Sequence, residues 1–359
     1  MSRRSKRRER RALKRQKPPE TIEDVVSHQN LYNATFSASK HVKWKQSVQR
    51  YLINIFFRNY STRKAILSGK DIRKGFINFS ISERGKKRDI QSVHFSERVV
   101  QKSLCANVLN PRFCPTLIKE NSASQKGKGT LFATQLFEKQ LREFLRKNGK
   151  GYILTIDFKK YFENIQHQPL FDFYDEKLTD KIVKKLCKDF VSAFEKGLGL
   201  GSEASQFNAI IYINKIDHYI KHNFKYYGRY MDDSYIISED KEKLKEFLRI
   251  LNQMYSELGI IVNHKKTKIV SLNQYFVFLK TRYKVVENNK IIKKPSRSSI
   301  TRNRRRFRKM VKLVNNGQMS IEAFKKSFNS FCGTMKRRNA RRSIYKLKKE
   351  IMHDLRIQY

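Results

Sequence analysis

Two rhythms of hydrophobic and polar residues run along the chain. Short runs rich in aromatic and β-branched residues read as strands, because such side chains fit a pleated, half-buried surface. Tyr152 to Phe158, in GKGYILTIDFKKYFENIQH, is one such run, with Asp157 near its end. Arg229-Tyr230-Met231 and Tyr235-Ile236-Ile237, in GRYMDDSYIIS, read as the arms of a hairpin that turns at Asp232 and Asp233. The slower rhythm is helical. TRNRRRFRKMVKLV places Phe307, Met310, Val311 and Val314 at helical spacing, so one face can pack while the other carries charge. Trp44 and Tyr51, in a helix-like N-terminal segment, are assigned to the core.

Composition adds a partner. At 359 residues the chain can bury a sizeable core in two or three subdomains. A net charge of +47 repels itself unless a polyanion is present, which points to nucleic acid before an anionic membrane surface. No run of 18 apolar residues predicts a spanning helix, and the N-terminus lacks the apolar core of a signal peptide. Cys105, Cys114, Cys187 and Cys332 are too scattered for a zinc site or a disulfide framework, which fits a reducing, cytoplasmic setting. Positive charge gathers at the ends. The first 20 residues hold ten Lys/Arg against two Glu and read as a mobile arm for phosphates, with a nuclear-type signal as the alternative. The last 79 hold 24 Lys/Arg against four acids.

Adjacent carboxylates at a tight turn repel, and Gly or Asn would cost less there. Asp232-Asp233 is either an acidic surface turn or part of a metal site. Asp157 poses the same choice: a half-buried acid needs a partner or a metal, unless it caps the following helix. Carboxylates from separate strands can hold two Mg²⁺ ions about 4 Å apart, the arrangement that clamps both oxygens of an in-line phosphoryl displacement.

Six ordered stretches give these acids a context. TIDFKKYFENI resembles the first palm motif of prokaryotic reverse transcriptases, and YMDD resembles their catalytic hairpin. GLGLGSEASQFNAIIYINKIDHYI, Gly197 to Ile220, is similar to the motif between them, a Gly-containing turn and a long helix. NHKKTKIV resembles the lysine-bearing motif, and YFVFLKTRY the primer-grip hairpin, with Lys280 where the family usually has Gly. SERGKKRDIQSVHFSERVVQKSLCANVLNP is similar to the fingers of bacterial and group II intron-type enzymes. The Asn-Ala-x-x-His string of typical retron enzymes is absent, and Leu200, where many relatives have Gln, resembles diversity-generating and phage- or defence-associated types.

Carried over position by position, the resemblance implies that Asp157 and Asp232 are the principal ligands of two Mg²⁺ ions, with Mn²⁺ as a substitute, and that Asp233 is a third, weaker one. It implies that Phe162 lies under the sugar of the incoming dNTP, where a ring leaves no room for a 2′-hydroxyl; the plain alternative is a core aromatic beside Tyr161. Phe158, Leu200, Gly201 and Gln206 fall in the nucleotide-binding motifs, and Lys266 beside the pyrophosphate. Arg84 and Arg88, on a hairpin with Lys86 and Lys87 that turns at Gly85, are candidates for the triphosphate. Lys126 and Lys128 in NSASQKGKGT, and Arg304, Arg305, Arg308, Lys336 and Arg337 near the C-terminus, are candidates for template and RNA–DNA hybrid. His218 and His222, spaced i and i+4, lack a third ligand and read as a surface helix.

The fold expected is an α+β right hand: a basic arm over 1–19, helical fingers with a hairpin over 20–150, an antiparallel-sheet palm over 151–282, and a basic helical thumb over 283–359. The activity expected is RNA-directed DNA polymerisation on a dedicated, structured RNA in a phage-defence, prophage or diversity-generating system, with a homo-oligomer or accessory protein left open. The alternative is a non-catalytic, maturase-like RNA-binding protein on the same fold.

Overall fold

The computed structural model describes residues 18–83 and 86–355. Nearly all of the basic arm, and Arg84 of the fingers turn, therefore lie outside the described residues. Helices Ile22–Val26, His28–Ser39, Gln46–Ile53 and Ile55–Leu67 come first. A hairpin follows, β1 (Phe76–Glu83) and β2 (Lys86–Val93), paired from Phe76 opposite Val93 to Glu83 opposite Lys86. Helices Phe95–Leu104 and Thr130–Asn148 then lead to β3 (Tyr152–Ile156) and the short β4 (Phe158–Lys159).

Helices Glu203–Ile211 and Asn214–Asn223 precede the second hairpin, β5 (Tyr226–Tyr230) and β6 (Asp233–Ser238). Helix Lys241–Glu257 runs back along the sheet, followed by β7 (Ile261–Val262) and β8 (Lys268–Ser271). Strands β9 (Phe276–Phe278), β10 (Thr281–Val286) and β11 (Lys290–Pro295) form a separate antiparallel sheet, and helices Arg297–Asn315, Ile321–Lys336 and Arg341–Asp354 close the described chain.

The central sheet has the order β5-β6-β3-β8, antiparallel throughout. Its side chains alternate between two cores, as a period of two requires. Ile153 and its partner Ile237 pack with Phe137 and Phe144 of helix Thr130–Asn148 and with the β9–β11 sheet. Leu154 and its partner Ile236 enter the large core under helices Glu203–Ile211 and Lys241–Glu257. A strand covered on both faces reads as a continuous apolar run, which is why YILTI shows no alternation. The last three helices enclose a core of their own around Phe307, Val311, Val314, Phe324 and Phe331. Among the described residues, no helix is long and apolar enough to cross a membrane.

One alternative falls, and two details differ from expectation. The helix after Asp157 runs over Tyr161–Asn164 with Lys160, left-handed at φ 45°, as its N-cap, so the capping alternative for Asp157 does not hold. Tyr51 is buried as expected, but Trp44 is 74% exposed. A palm boundary at 282 would cut β10, whose residues Thr281, Tyr283 and Val285 are buried alternately; the sheet runs on to Pro295. At the β9–β10 turn, Leu279 and Lys280 take φ of 44° and 64°. That left-handed conformation is what a glycine adopts without strain, so Lys280 holds a glycine's geometry with a side chain attached.

Candidate active site

The register of β3 on β6 sets the centre. Ile156 stands opposite Ser234. The ladder ends there, and Asp157 follows directly, near enough to the hairpin turn for its charge to act on both Asp232 and Asp233. Tyr230 pairs with Asp233, leaving Met231 and Asp232 as the two turn residues. Met231 is left-handed at φ 55°, uncommon without a glycine and sustained only where the surroundings over-determine it.

Those surroundings are specific. Nη1 of Arg229 donates to the Met231 carbonyl at 3.1 Å, while Nε and Nη2 reach the Asp217 carboxylate at 2.6–2.9 Å. Tyr227 donates to the same carboxylate at 2.5 Å. The Arg229 N–H donates to the Glu120 carbonyl, and its own carbonyl accepts from Ser122 N–H, so the loop of Lys126 and Lys128 is tied to the hairpin.

Asp157 is held from the other side. Strand β4 pairs with β7, which delivers the NHKKT turn directly onto it. Asn263 donates its backbone N–H to the Asp157 carbonyl at 2.8 Å and its side-chain amide to Oδ1 at 2.9 Å. Nζ of Lys266 sits 2.8 Å from Oδ1 and 2.7 Å from Oδ2. Its side chain stays half exposed, whereas the Asp157 side chain is only 13% exposed.

The carboxylates feel one another. Burial first, then the charges of Asp232 and Asp157, push the Asp233 carboxyl up to about 7, with Lys266 pulling the other way. Burial likewise raises Asp232; its own backbone N–H opposes this, the charge of Asp157 adds to it, and Lys266 and Arg88 counter it. The site is thus short of positive charge. Among the described residues no three His, Cys, Asp or Glu side chains are already grouped to hold an ion, and the Asp157 carboxylate is paired with Lys266. The donor chemistry still fits a hard divalent cation: the groups are carboxylate oxygens, brought close enough for their charges to repel. Asp157, Asp232 and Asp233 are the residues that would hold it.

Beside the acids, two distant motifs meet. Leu198 N–H donates to the Phe162 carbonyl at 2.8 Å, and a Cβ on Gly197 would lie 2.5 Å from that oxygen. Gly197, at φ 66°, is therefore the glycine on which the close approach depends. Phe162 is half-buried, edge-on to Tyr161. Leu200 is half-buried and Gly201 exposed; Gly201 has φ 109° and faces Ile90 of β2, so backbone conformation demands glycine there too. Gln206 accepts from Ser124 at 3.3 Å, next to exposed Lys126.

Several candidates sit elsewhere. Phe158, the first residue of β4, is buried between Tyr161 and Tyr255 and is a core residue. Lys128 directs its ammonium at the carbonyls of Lys119 and Asn121, closing its own loop. Arg304 and Arg308 pair with Glu350 on helix Arg341–Asp354 and brace the helix bundle. At 100° per residue, Arg302 and Arg306 lie on the opposite side of the same helix. These two, with Lys326 and Arg338, line a cleft of about 940 Å³ that Arg88 and Lys280 also reach. Arg305, Lys336 and Arg337 are exposed. His218 contacts the Thr116 carbonyl on a surface helix. Sequence patterns alone did not single out Asp217, Arg229, Gly197 or Asn263. Only Gly197 carried a local signal, a glycine in a turn.

Residues 72–290, more than half of the chain, match the family model of reverse transcriptase (RNA-dependent DNA polymerase). The chain belongs to that family. Its α+β architecture is that of the reverse transcriptase fold, and the matched span covers the hairpin β1–β2, the central sheet and strands β9 and β10. No curated protein matches the sequence. Among solved structures, apo telomerase of Candida tropicalis, truncated from its C-terminal domain, is similar with a TM-score of 0.45 and 15% identity, over 67% of this chain and 60% of that one. Telomerase of Candida albicans in complex with a TWJ fragment of telomeric RNA is similar with a TM-score of 0.48 and 11% identity, over 85% and 64%. The chain thus spans less than two thirds of either telomerase.

Proposed function

We propose that this reverse transcriptase is an active RNA-directed DNA polymerase that extends a primer with dNTPs on an RNA template, and that Asp157, Asp232 and Asp233 hold its divalent cations, Mg²⁺ by preference and Mn²⁺ as a substitute. The observation that carries this reading is that Asp157, Asp232 and Asp233 lie near enough for their charges to act on one another, with burial and mutual repulsion raising the carboxyls of Asp232 and Asp233. When bound, two such ions supply a lowered pKa at the primer 3′-hydroxyl and a counter-charge for pyrophosphate.

The remaining roles belong to side chains. Arg88, whose charge reaches Asp232, receives the triphosphate. Phe162 excludes the 2′-hydroxyl, with Leu200, Gly201 and Gln206 along the base pair. Lys266 keeps Asp157 oriented and is placed to screen or protonate the departing pyrophosphate. The cleft beside Arg302 and Arg306 takes the RNA–DNA hybrid by its phosphates.

We assign the enzyme to the prokaryotic branch, working on a dedicated structured RNA in a phage-defence or diversity-generating setting; the motif order and Leu200 support this. Asp232→Asn is expected to abolish dNTP incorporation on a primed RNA while leaving RNA affinity within about twofold, since one carboxylate oxygen is exchanged for an amide of the same shape. Synthesis near the parental rate would overturn the assignment. A parent that binds RNA yet incorporates nothing with either cation would favour the maturase-like alternative.

A further inference from the structure

The N-terminal helices display a surface that the polymerase cleft does not use. Ile53, Phe56, Phe57 and Tyr60 fall at i, i+3, i+4 and i+7 across the joint between helices Gln46–Ile53 and Ile55–Leu67. A stripe with that spacing ordinarily faces a core. Here the four are 80%, 76%, 68% and 54% exposed, and Trp44 nearby is 74% exposed. The helices are docked by their other side: Tyr51 is buried, edge-on to Phe95 at 5.0 Å, and Ile66 is buried too. A contiguous exposed apolar surface of this kind marks a place where something binds.

What binds is indicated by the rings and by the charge. The surface is mostly aromatic, and several rings are already paired: Phe56 stacks on Tyr32 at 5.8 Å, and Tyr60 lies parallel to His28 at 6.4 Å. Lys45 lies over the Trp44 ring and Lys43 over Phe36. From Lys40 to Lys70 the sequence holds eight Lys/Arg and no Asp or Glu. A second copy of this chain, or its own basic arm, would bring more positive charge to a surface that already has an excess. A single strand of RNA brings phosphates for the cations and flat bases for the rings, and stacking of bases on aromatic side chains tolerates any sequence.

We propose that helices His28–Ser39, Gln46–Ile53 and Ile55–Leu67 form a docking surface for single-stranded RNA, separate from the site of synthesis. It rests on the reading of the chain as an enzyme that works on RNA, and adds that an unpaired stretch of that RNA is held outside the cleft.

The test uses the full chain, a fluorescein-labelled twenty-nucleotide oligouridine, and a short annealed primer–template. Trp44→Ala/Phe56→Ala/Phe57→Ala is expected to weaken oligouridine binding about tenfold or more. The same variant should leave incorporation on saturating primer–template unchanged. Lys43→Glu/Lys45→Glu, which removes no ring, should weaken the same binding and flatten its salt dependence. With 4-thiouridine in the strand, cross-links should map to residues 44–60. Parental oligouridine affinity in both variants would overturn the proposal. So would a change in the triple variant confined to oligomeric mass by light scattering, or to flotation with phosphatidylserine vesicles. A parent that binds neither oligouridine nor primed RNA would instead defeat the proposed function itself.

Discussion

Arg229 and Asp217 form an ion pair in which neither side chain is more than 1% exposed, and the same guanidinium donates to the carbonyl of Met231 in the Asp232 turn. This buried pair thereby holds a left-handed turn in place beside Asp232 and Asp233. Asp217→Asn leaves the guanidinium buried without its counter-charge, and is expected to lower unfolding free energy by about 3–5 kcal/mol in urea titrations. Asp217→Leu/Arg229→Met should recover much of that stability, because an apolar pair of similar volume needs no desolvation. It should not recover kcat, since nothing then donates to the Met231 carbonyl. A double variant with the parental rate would show that the pair serves stability alone.

Phe162 has its backbone held against Leu198 and Gly197, which fixes where its half-buried ring projects from. Phe162→Val is expected to lower discrimination between dATP and ATP by about tenfold or more, read as the ratio of kcat/KM values. Unchanged sugar selection would leave the ring as a core aromatic that packs on Tyr161.

The basic helix Arg297–Asn315 has two distinct sides, one lining a cleft and one paired with Glu350. Arg302→Ala and Arg306→Ala, on the cleft side, should each weaken affinity for an RNA–DNA hybrid and reduce the salt slope by about 1, because one phosphate no longer has a cation from the protein. Arg304→Ala and Arg308→Ala, on the Glu350 side, should leave the slope nearly as it is. Filter binding across a salt series would separate the pairs, and equal slopes would contradict the orientation.

Glu97 is 2% exposed, and burial raises its carboxyl to about 7, partly offset by the amide of Gln101 and by Arg73. Its ordinary value is 4.5, so between 4.5 and 7 the folded chain keeps a proton that the unfolded chain gives up. Stability therefore falls as pH rises through that window, by on the order of 3 kcal/mol from this group. Glu97→Gln, always neutral, should flatten that part of the profile and raise the melting temperature at pH 8. A parent profile that rises from pH 5 to 7, with no difference in the variant, would contradict it.

The elements that carry the site were legible because their signals are local. An apolar run ending in an acid, two aromatic arms around Asp-Asp, and Phe307, Val311 and Val314 at helical spacing each declare their element without a partner. The order of the motifs then pointed to the family. Directions across the chain were not legible. That Phe158 turns into the core, that Lys266 reaches back to Asp157, and that Arg304 faces Glu350 while Arg306 faces a cleft depend on which element packs against which side.

The exposed rings of Phe56 and Phe57 make the same point in reverse, since helical spacing alone sends them inward. The sequence by itself determined the strands, the helices and the three acids, because local preference and periodicity depend only on near neighbours. Only the tertiary structure decided which charges meet, which stay buried and which face water, because a side chain's energy is set by neighbours in space that lie far away along the chain.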